Sequence, residues 1–122
     1  MGAYASSSYY PASNAFDGSE VRFWVANGGG EQWIELDLGS SHTVRKIRLL
    51  TEQSGSDFTE HNVYVGNTTP PTNLVATFTG TTVTNQWLDK TFTSNPPTGQ
   101  YVRIVTPTSN SWRAWRDIAV YE

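Results

Sequence analysis

The chain of 122 residues has no cysteine, which excludes disulfides and thiolate metal sites. Lysine is scarce, since only Lys46 and Lys90 accompany six arginines. The net charge of −3 gives no electrostatic reason to bind nucleic acid or an anionic membrane, so neither partner is expected. No apolar run approaches the ~20 residues of a membrane-spanning helix.

Aromatic residues and turn formers are abundant by contrast. Five Trp, six Tyr and five Phe exceed what the core of so small a domain requires, which leaves candidates for ligand contacts. No segment keeps a helical period, and turn-forming residues recur about every ten positions. The sequence therefore predicts one all-β domain over 1–122, a jelly-roll-like β-sandwich of about eight strands.

The clearest strand runs from Gln32 to Gly39. Ile34, Leu36 and Leu38 fall on one side of an extended chain, and Trp33, Glu35 and Asp37 fall on the other. This period-two alternation is typical of a half-buried strand, and the glycine marks its end. We expect it to be a central strand of the sandwich.

Further strands follow the same reasoning. Val44 is out of step with Ile47 and Leu49, so a bulge or bend near Arg45 is expected. Two long polar loops are predicted at Thr51–Glu60 and Thr106–Asp117. The remaining predicted strands are Thr43–Leu50, His61–Gly66, Leu74–Phe78, Trp87–Phe92, Tyr101–Val105 and Ile118–Tyr121.

Three segments in order resemble the discoidin domain, also called the coagulation-factor type C domain, and its sugar-binding branch, carbohydrate-binding modules of family 32. They are Ala15–Gly18 with Trp24, then Trp33–Gly39, and finally Gln100–Ile104 with Trp115–Tyr121. The resemblance implies a β-sandwich whose loops at one end bind the ligand, with Trp24 in the core. Such folds serve many ligands, so fold alone does not decide function.

Catalysis finds little support in the residue pattern. The histidines His42 and His61 are far apart in sequence, without an obvious nucleophile or metal partner. Glu35 and Asp37 share a strand face, but an outward polar face or structural hydrogen bonds explain them more simply than the paired carboxylates of a glycosidase. We expect no enzyme.

The strongest binding candidates are Trp112 and Trp115 with Arg113. An indole stacks on the apolar face of a sugar, and a charged group binds its hydroxyl edge. Alternatively, Trp115 packs over the end of the core and Trp112 covers a sheet edge. A stack of arginine on tryptophan within the loop is a further alternative.

The loops beside this segment supply more candidates. Glu52 and Asp57 could accept hydrogen bonds from sugar hydroxyls or favour an amino sugar. The resemblance puts an arginine near Glu52 in sugar-binding relatives, which argues against a galactose-type site here. Asn27 is a further candidate contact, while Tyr9 and Tyr10 fit either ligand contact or loop packing.

The resemblance also implies a structural calcium ion. Calcium takes about six to eight oxygen ligands, and the matching positions offer Asp17, Ser19 and either Asp117 or Glu122. At the position where relatives have threonine, this chain has Arg22, which cannot ligate a cation. Either Arg22 replaces the metal by pairing with Asp17 and Asp117, or its side chain points to solvent while its carbonyl still ligates calcium.

The sequence thus predicts a monomeric, non-catalytic carbohydrate-binding module that recognises a polysaccharide or glycan, within a secreted or cell-surface protein such as a glycan-active enzyme or an adhesin. The alternative is a discoidin-type adhesion module that binds a protein or a cell-surface receptor. A structural spacer is a third interpretation, which predicts that the loop around Trp112 is buried.

Overall fold

Two antiparallel sheets form a sandwich in the computed structural model, which describes residues 2–18, 20–53, 55–109 and 113–122. The five-stranded sheet has the order β1-β3-β8-β5-β6, and the four-stranded sheet has the order β2-β9-β4-β7. A short 3₁₀ helix spans Ala12–Ala15. The strands are β1 Gly2–Ala5, β2 Trp24–Val25, β3 Gln32–Thr43, β4 Lys46–Thr51, β5 Asp57–Gly66, β6 Leu74–Thr82, β7 Trp87–Thr91, β8 Thr98–Ser109 and β9 Ala114–Tyr121.

The predicted central strand is confirmed as β3, which lies between β1 and β8. Ile34 and Leu36 are buried in the core, while Trp33 and Asp37 are partly exposed on the outer face. The alternation of apolar and polar side chains therefore assigns the two faces correctly. Glu35 departs from this pattern, since it lies on the outer face and is nevertheless only 3% exposed.

The predicted interruption near Arg45 is confirmed. Val44 is fully buried between β3 and β4, and Arg45 is exposed. The Arg45 N–H donates to the Tyr121 carbonyl at 2.8 Å, so the bend is held by the end of β9.

The two predicted long loops are shorter than expected, because the flanking strands extend into them. β5 begins at Asp57, β8 continues to Ser109, and β9 begins at Ala114. Threonines are frequent in these extensions, and β-branched residues favour the pleated backbone. With these extensions and the short β2, the described residues form nine strands, where about eight were predicted.

Trp24 and Trp115 face each other across the β2–β9 pair, and each is only 1% exposed. The β4–β9 register shifts after Leu50–Asp117, because Thr51 pairs with Trp115 and Arg116 is skipped. This bulge reverses the alternation, so Trp115 and Ile118 both point inward although three positions separate them.

The β4–β5 and β8–β9 connections lie at one end of the sandwich. β4 ends there at Thr51, and only the segment 52–56 separates it from β5 in the other sheet. β8 ends and β9 begins at this same end. Among the described residues, no helix has the length and apolar character needed to span a membrane.

A close contact between strands β8 and β5 yields a test of the fold. A Cβ added at Gly99 would lie 2.6 Å from backbone atoms of Gly66, which cannot move without disturbing the sheet. We expect Gly99→Ala to lower the free energy of unfolding by about 1–3 kcal/mol, measured by urea denaturation. Gly29→Ala is the control, because its Cβ would meet nothing within 4 Å. Equal stability of the two variants would contradict the expected clash.

Candidate functional site

Five side chains from three segments of the chain surround a pocket of about 270 Å³ at the loop end. We call it the loop-end pocket, and its lining residues are Tyr9, Tyr10, Phe23, Val25 and Glu52. The Tyr9 and Tyr10 rings are 5.0 Å apart, and Tyr10 meets Phe23 edge-to-face at 5.5 Å. Tyr9 is 69% exposed and Tyr10 is 44% exposed, so both can contact a ligand.

Backbone hydrogen bonds hold the two tyrosines against the core. The Tyr9 N–H donates to the Val25 carbonyl at 2.7 Å, and Val25 pairs in turn with Ala114 of β9. The indole N–H of the buried Trp24 donates to the Ser7 carbonyl at 3.0 Å. The segment that carries the tyrosines is therefore fixed to the sandwich before any ligand arrives.

Glu52, which lines the loop-end pocket, forms an ion pair with Arg116 behind it. Arg116 Nη2 lies 2.7 Å from Glu52 Oε1, and the Thr84 hydroxyl donates to the same oxygen at 3.0 Å. Arg116 Nη1 also donates to the Glu20 carbonyl at 3.0 Å, and its guanidinium lies 5.4 Å from the Phe23 ring. Glu52 is therefore neutralised by a cation that links three segments of the loop end.

This combination suits a flat, hydroxylated ligand. Aromatic rings present apolar faces on which the C–H side of a pyranose can stack. A buried carboxylate–guanidinium pair offers acceptors and donors for hydroxyl groups at the edge of such a ring. The Glu52 and Arg116 side chains are already held by hydrogen bonds, so ligand binding orders them little further.

Of the residues predicted to bind carbohydrate, Glu52 lines the loop-end pocket and Trp115 does not. The prediction that Trp115 contacts a ligand is wrong, because its indole is buried in the core. The alternative interpretation, core packing, describes it correctly. Trp112 lies outside the described residues and stays a prediction.

The other predicted contacts among the described residues, Arg113, Asn27 and Asp57, are not in the lining of the pocket. The Arg113 carbonyl accepts from the Ala26 N–H at 2.8 Å, next to Asn27, which is exposed. Asn27 and Arg113 are thus brought together beside the pocket. Asp57 begins β5 opposite Thr82 and is half-buried.

Sequence reasoning did not find the pairing of Arg116 with Glu52 and left Tyr9 and Tyr10 undecided. Nothing in the local pattern signals that Arg116 pairs with Glu52, 64 positions away. The tandem tyrosines in a polar segment were a usable signal, since two large rings in a non-strand segment lack a regular core position.

The carboxylates of β3 are engaged by hydrogen bonds on the outer face. Glu35 accepts from Arg103 Nε at 2.8 Å and from the Thr69 hydroxyl at 2.8 Å. Asp37 accepts from Gln100 and from the Gly39 N–H. The interpretation of these residues as structural hydrogen-bonding groups is confirmed.

His42 has partners that sequence reasoning did not find. Its Nδ1 lies 2.7 Å from Glu122 Oε1, and its Nε2 lies 3.0 Å from the Ser40 hydroxyl. The order matches that of a hydrolase triad, but the acid of such a triad is buried. The Glu122 side chain is 71% exposed, so we interpret the row as hydrogen bonds at the surface.

Three of the predicted calcium ligands, Asp17, Asp117 and Glu122, lie among the described residues. Arg22 Nε lies 3.2 Å from Asp17 Oδ2, which is one part of the predicted pairing of Arg22 with Asp17 and Asp117. Glu122 pairs with His42, and among the described residues no three acidic or histidine side chains form a metal-binding group. Burial, with the nearby negative charges of Glu20 and Asp17, raises the pKa of the Asp117 carboxyl. Ser19 lies outside the described residues.

His61 is buried beneath the loop end. Its ring centroid lies 4.6 Å from that of Trp115, and its Nδ1 is 2.7 Å from the Thr106 hydroxyl. Burial lowers the pKa of His61 from 6.5 to about 4, because the charged imidazolium loses its hydration.

Comparison with known proteins adds a family match over almost the whole chain. A family model described as the F5/8 type C domain matches residues 2–120. No curated protein matches significantly.

Solved structures of carbohydrate-binding modules resemble the chain over nearly its full length. Chitosan-binding module 1 from a chitosanase/glucanase of Paenibacillus sp. IK-5 is 32% identical, with 99% of this chain and 94% of that chain covered and a TM-score of 0.79. The family 32 module of AlyQ, in complex with 4,5-unsaturated mannuronic acid, is 26% identical, with 100% and 95% covered and a TM-score of 0.80. The family 32 module of C. perfringens NanJ, in complex with galactose, is 25% identical, with 99% and 93% covered and a TM-score of 0.82.

The buried His61 predicts a specific acid sensitivity. Because its folded-state pKa of about 4 lies below its ordinary value of 6.5, its contribution to stability is complete above pH 6.5. That contribution, about 3 kcal/mol, is lost as the pH falls to about 4. Urea denaturation at pH 7 and pH 4 should therefore show a smaller loss of stability for His61→Gln than for the wild type. A loss for His61→Gln equal to that of the wild type would refute the prediction.

Proposed function

This chain belongs to the F5/8 type C, or discoidin, family, and we propose that it is a non-catalytic carbohydrate-binding module. The loop-end pocket is the observation that carries the proposal. Two exposed tyrosine rings stand beside Phe23 and a buried Glu52–Arg116 pair. Aromatic stacking surfaces with a few fixed polar groups are what sugar recognition requires.

The pocket is shallow and small, so a single copy of the domain is expected to bind weakly. Tethering such a module to another domain, or repeating it, raises its effective affinity. A family 32 module in AlyQ shares its chain with an alginate lyase domain. By analogy, we propose that the present domain is an appendage of a secreted glycan-active enzyme or of a surface adhesin.

The charge of the pocket disfavours an anionic sugar as ligand. Arg116 neutralises Glu52, and neither side chain is more than 21% exposed, so an isolated anion would gain no unopposed cation there. The chitosan-binding module, at 32% identity, makes a glucosamine oligosaccharide the first ligand to test.

We further propose that the Arg22–Asp17 pair takes the place of calcium. The Arg22 guanidinium lies 3.2 Å from the Asp17 carboxylate, which is the group expected to ligate the ion. Its positive charge would repel a calcium ion at this position. The chain then needs no bound metal at this turn.

Alanine substitutions at the two tyrosines test the pocket. Tyr9→Ala and Tyr10→Ala should each weaken binding to immobilised chitosan by about tenfold, since each removes one stacking surface. Affinity gel electrophoresis over a panel of polysaccharides measures the loss.

Trp112→Ala belongs in the same experiment, because Trp112 is also proposed to contact the ligand. Unchanged retention of this variant on every polysaccharide would refute that role.

Tyr121→Ala is the matched control, since Tyr121 is 46% exposed and pairs with Lys46 at the opposite end of β9 from Trp115. Its retention should equal that of the wild type. If Tyr9→Ala and Tyr10→Ala both bind as the wild type does, the loop-end pocket is not the site. If the wild type itself binds no polysaccharide, the proposed function fails.

Thermal melts test the replacement of calcium. The Tm of the wild type should be the same in EDTA and in millimolar calcium chloride. Arg22→Thr removes the competing cation and should acquire a Tm that rises with calcium, because ligand binding to the folded state stabilises it. A lower Tm of the wild type in EDTA would show that the ion is bound despite Arg22.

A further inference from the structure

A second polar and aromatic depression lies on the outer face of the five-stranded sheet. It has a volume of about 350 Å³, larger than the loop-end pocket, and the two share no lining residue. We call it the sheet-face groove. It is lined by Tyr4, Trp33, Glu35, Asp37, Tyr101 and Arg103, with Thr69 at one side.

Strand register places these side chains in two adjacent rows. Tyr4, Glu35 and Arg103 are neighbours across β1, β3 and β8. Asp37 pairs with Gly2 on one side and with Tyr101 on the other. Gly2 has no side chain, and the Tyr4 ring lies in the space above it. A Cβ added at Gly2 would be 3.0 Å from the Tyr4 hydroxyl oxygen.

The floor of the groove is a rigid charged stack. The Arg103 guanidinium lies 3.6 Å from the Trp33 ring centroid and donates to Glu35 at 2.8 Å. The Glu35 side chain is only 4% exposed and that of Arg103 only 14%. Burying an ion pair on the outer face of a sheet has a desolvation cost and adds little stability. Such a pair nevertheless holds the guanidinium in one orientation.

Asp37 supplies a negative charge beside this stack. The hydrogen bond from Gln100, followed by that from the Gly39 N–H, lowers the pKa of the Asp37 carboxyl. With Glu35 offset by Arg103, the groove carries a net charge of about −1 from Asp37. An anionic ligand is therefore disfavoured.

We propose that the sheet-face groove is a second glycan-binding site, for one neutral or amino-sugar unit of an oligosaccharide. Tyr4, 55% exposed, and Tyr101 provide stacking walls. Asp37 accepts from a hydroxyl or an ammonium group, and the fixed Arg103 borders the same space. The volume falls at the small end of the range for ligand sites, about 300–1,000 Å³. The inference rests on the proposed glycan binding of the domain but not on the loop-end pocket.

Two sites on different faces would let one domain hold two chains of a polysaccharide. The experiment is an NMR titration of the uniformly ¹⁵N-labelled domain with a glucosamine hexamer. Signals of Trp33 and Tyr101 report on the sheet-face groove, and signals of Tyr10 and Phe23 report on the loop-end pocket. A galacturonic acid hexamer is the anionic comparison.

Tyr4→Ala should weaken binding at the groove signals by about tenfold and leave the loop-end signals as in the wild type. Tyr9→Ala should do the reverse. Tyr121→Ala, the control used for the pocket, should change neither. The galacturonic acid hexamer should leave the groove signals unshifted.

The outcomes separate the two proposals. Loop-end shifts without groove shifts would overturn the second site and keep the proposed function. Shifts of the groove signals that are unchanged in Tyr4→Ala would overturn the assignment of Tyr4 as a stacking wall. Shifts of the groove signals with the galacturonic acid hexamer alone would overturn the assignment of a neutral or amino sugar as the ligand. No shift in either set would overturn both proposals. Because Tyr4 is on an exposed edge strand, its variant is expected to fold, and its backbone spectrum verifies this.

Discussion

Burial of two indoles organises the end of the sandwich where the loop-end pocket lies. Trp24 belongs to a strand of only two residues, which backbone pairing alone would hold poorly. Its contact with the inward-facing Trp115 removes both rings from water, and truncating a buried tryptophan costs about 3–5 kcal/mol. The Val25 carbonyl that holds Tyr9 follows Trp24 directly, and Arg116 follows Trp115. The pocket walls are therefore positioned by the same core contact.

Much of the fold could be predicted from local patterns. The alternation of Ile34 and Leu36 with Trp33 and Asp37 indicates which side of β3 faces the core, because a strand exposes its faces with period two. The phase change at Val44 predicts the bend that the structure shows at Arg45. The resemblance of three ordered motifs then selects the discoidin sandwich among the all-β folds.

The site was less predictable, because it depends on contacts between distant residues and on one irregularity. Glu52 and Arg116 are 64 positions apart, and Glu35 and Arg103 are 68 apart; no local rule pairs them. Strict alternation from Ile118 would turn Trp115 outward. The bulge at Arg116 reverses this, so the most conspicuous aromatic candidate belongs to the core. The tyrosines that line the pocket come instead from a non-strand segment near the start of the chain.

The bulge also limits where residues can be inserted or deleted without disturbing the core. Deleting one residue near Arg116 would restore strict alternation there and turn the Trp115 indole outward. The connections between β4 and β5 and between β8 and β9 carry no such parity constraint. Insertions there could alter what the domain recognises while its core stays constant. Solved structures of the same architecture hold different sugars, galactose in one and a mannuronic acid derivative in another.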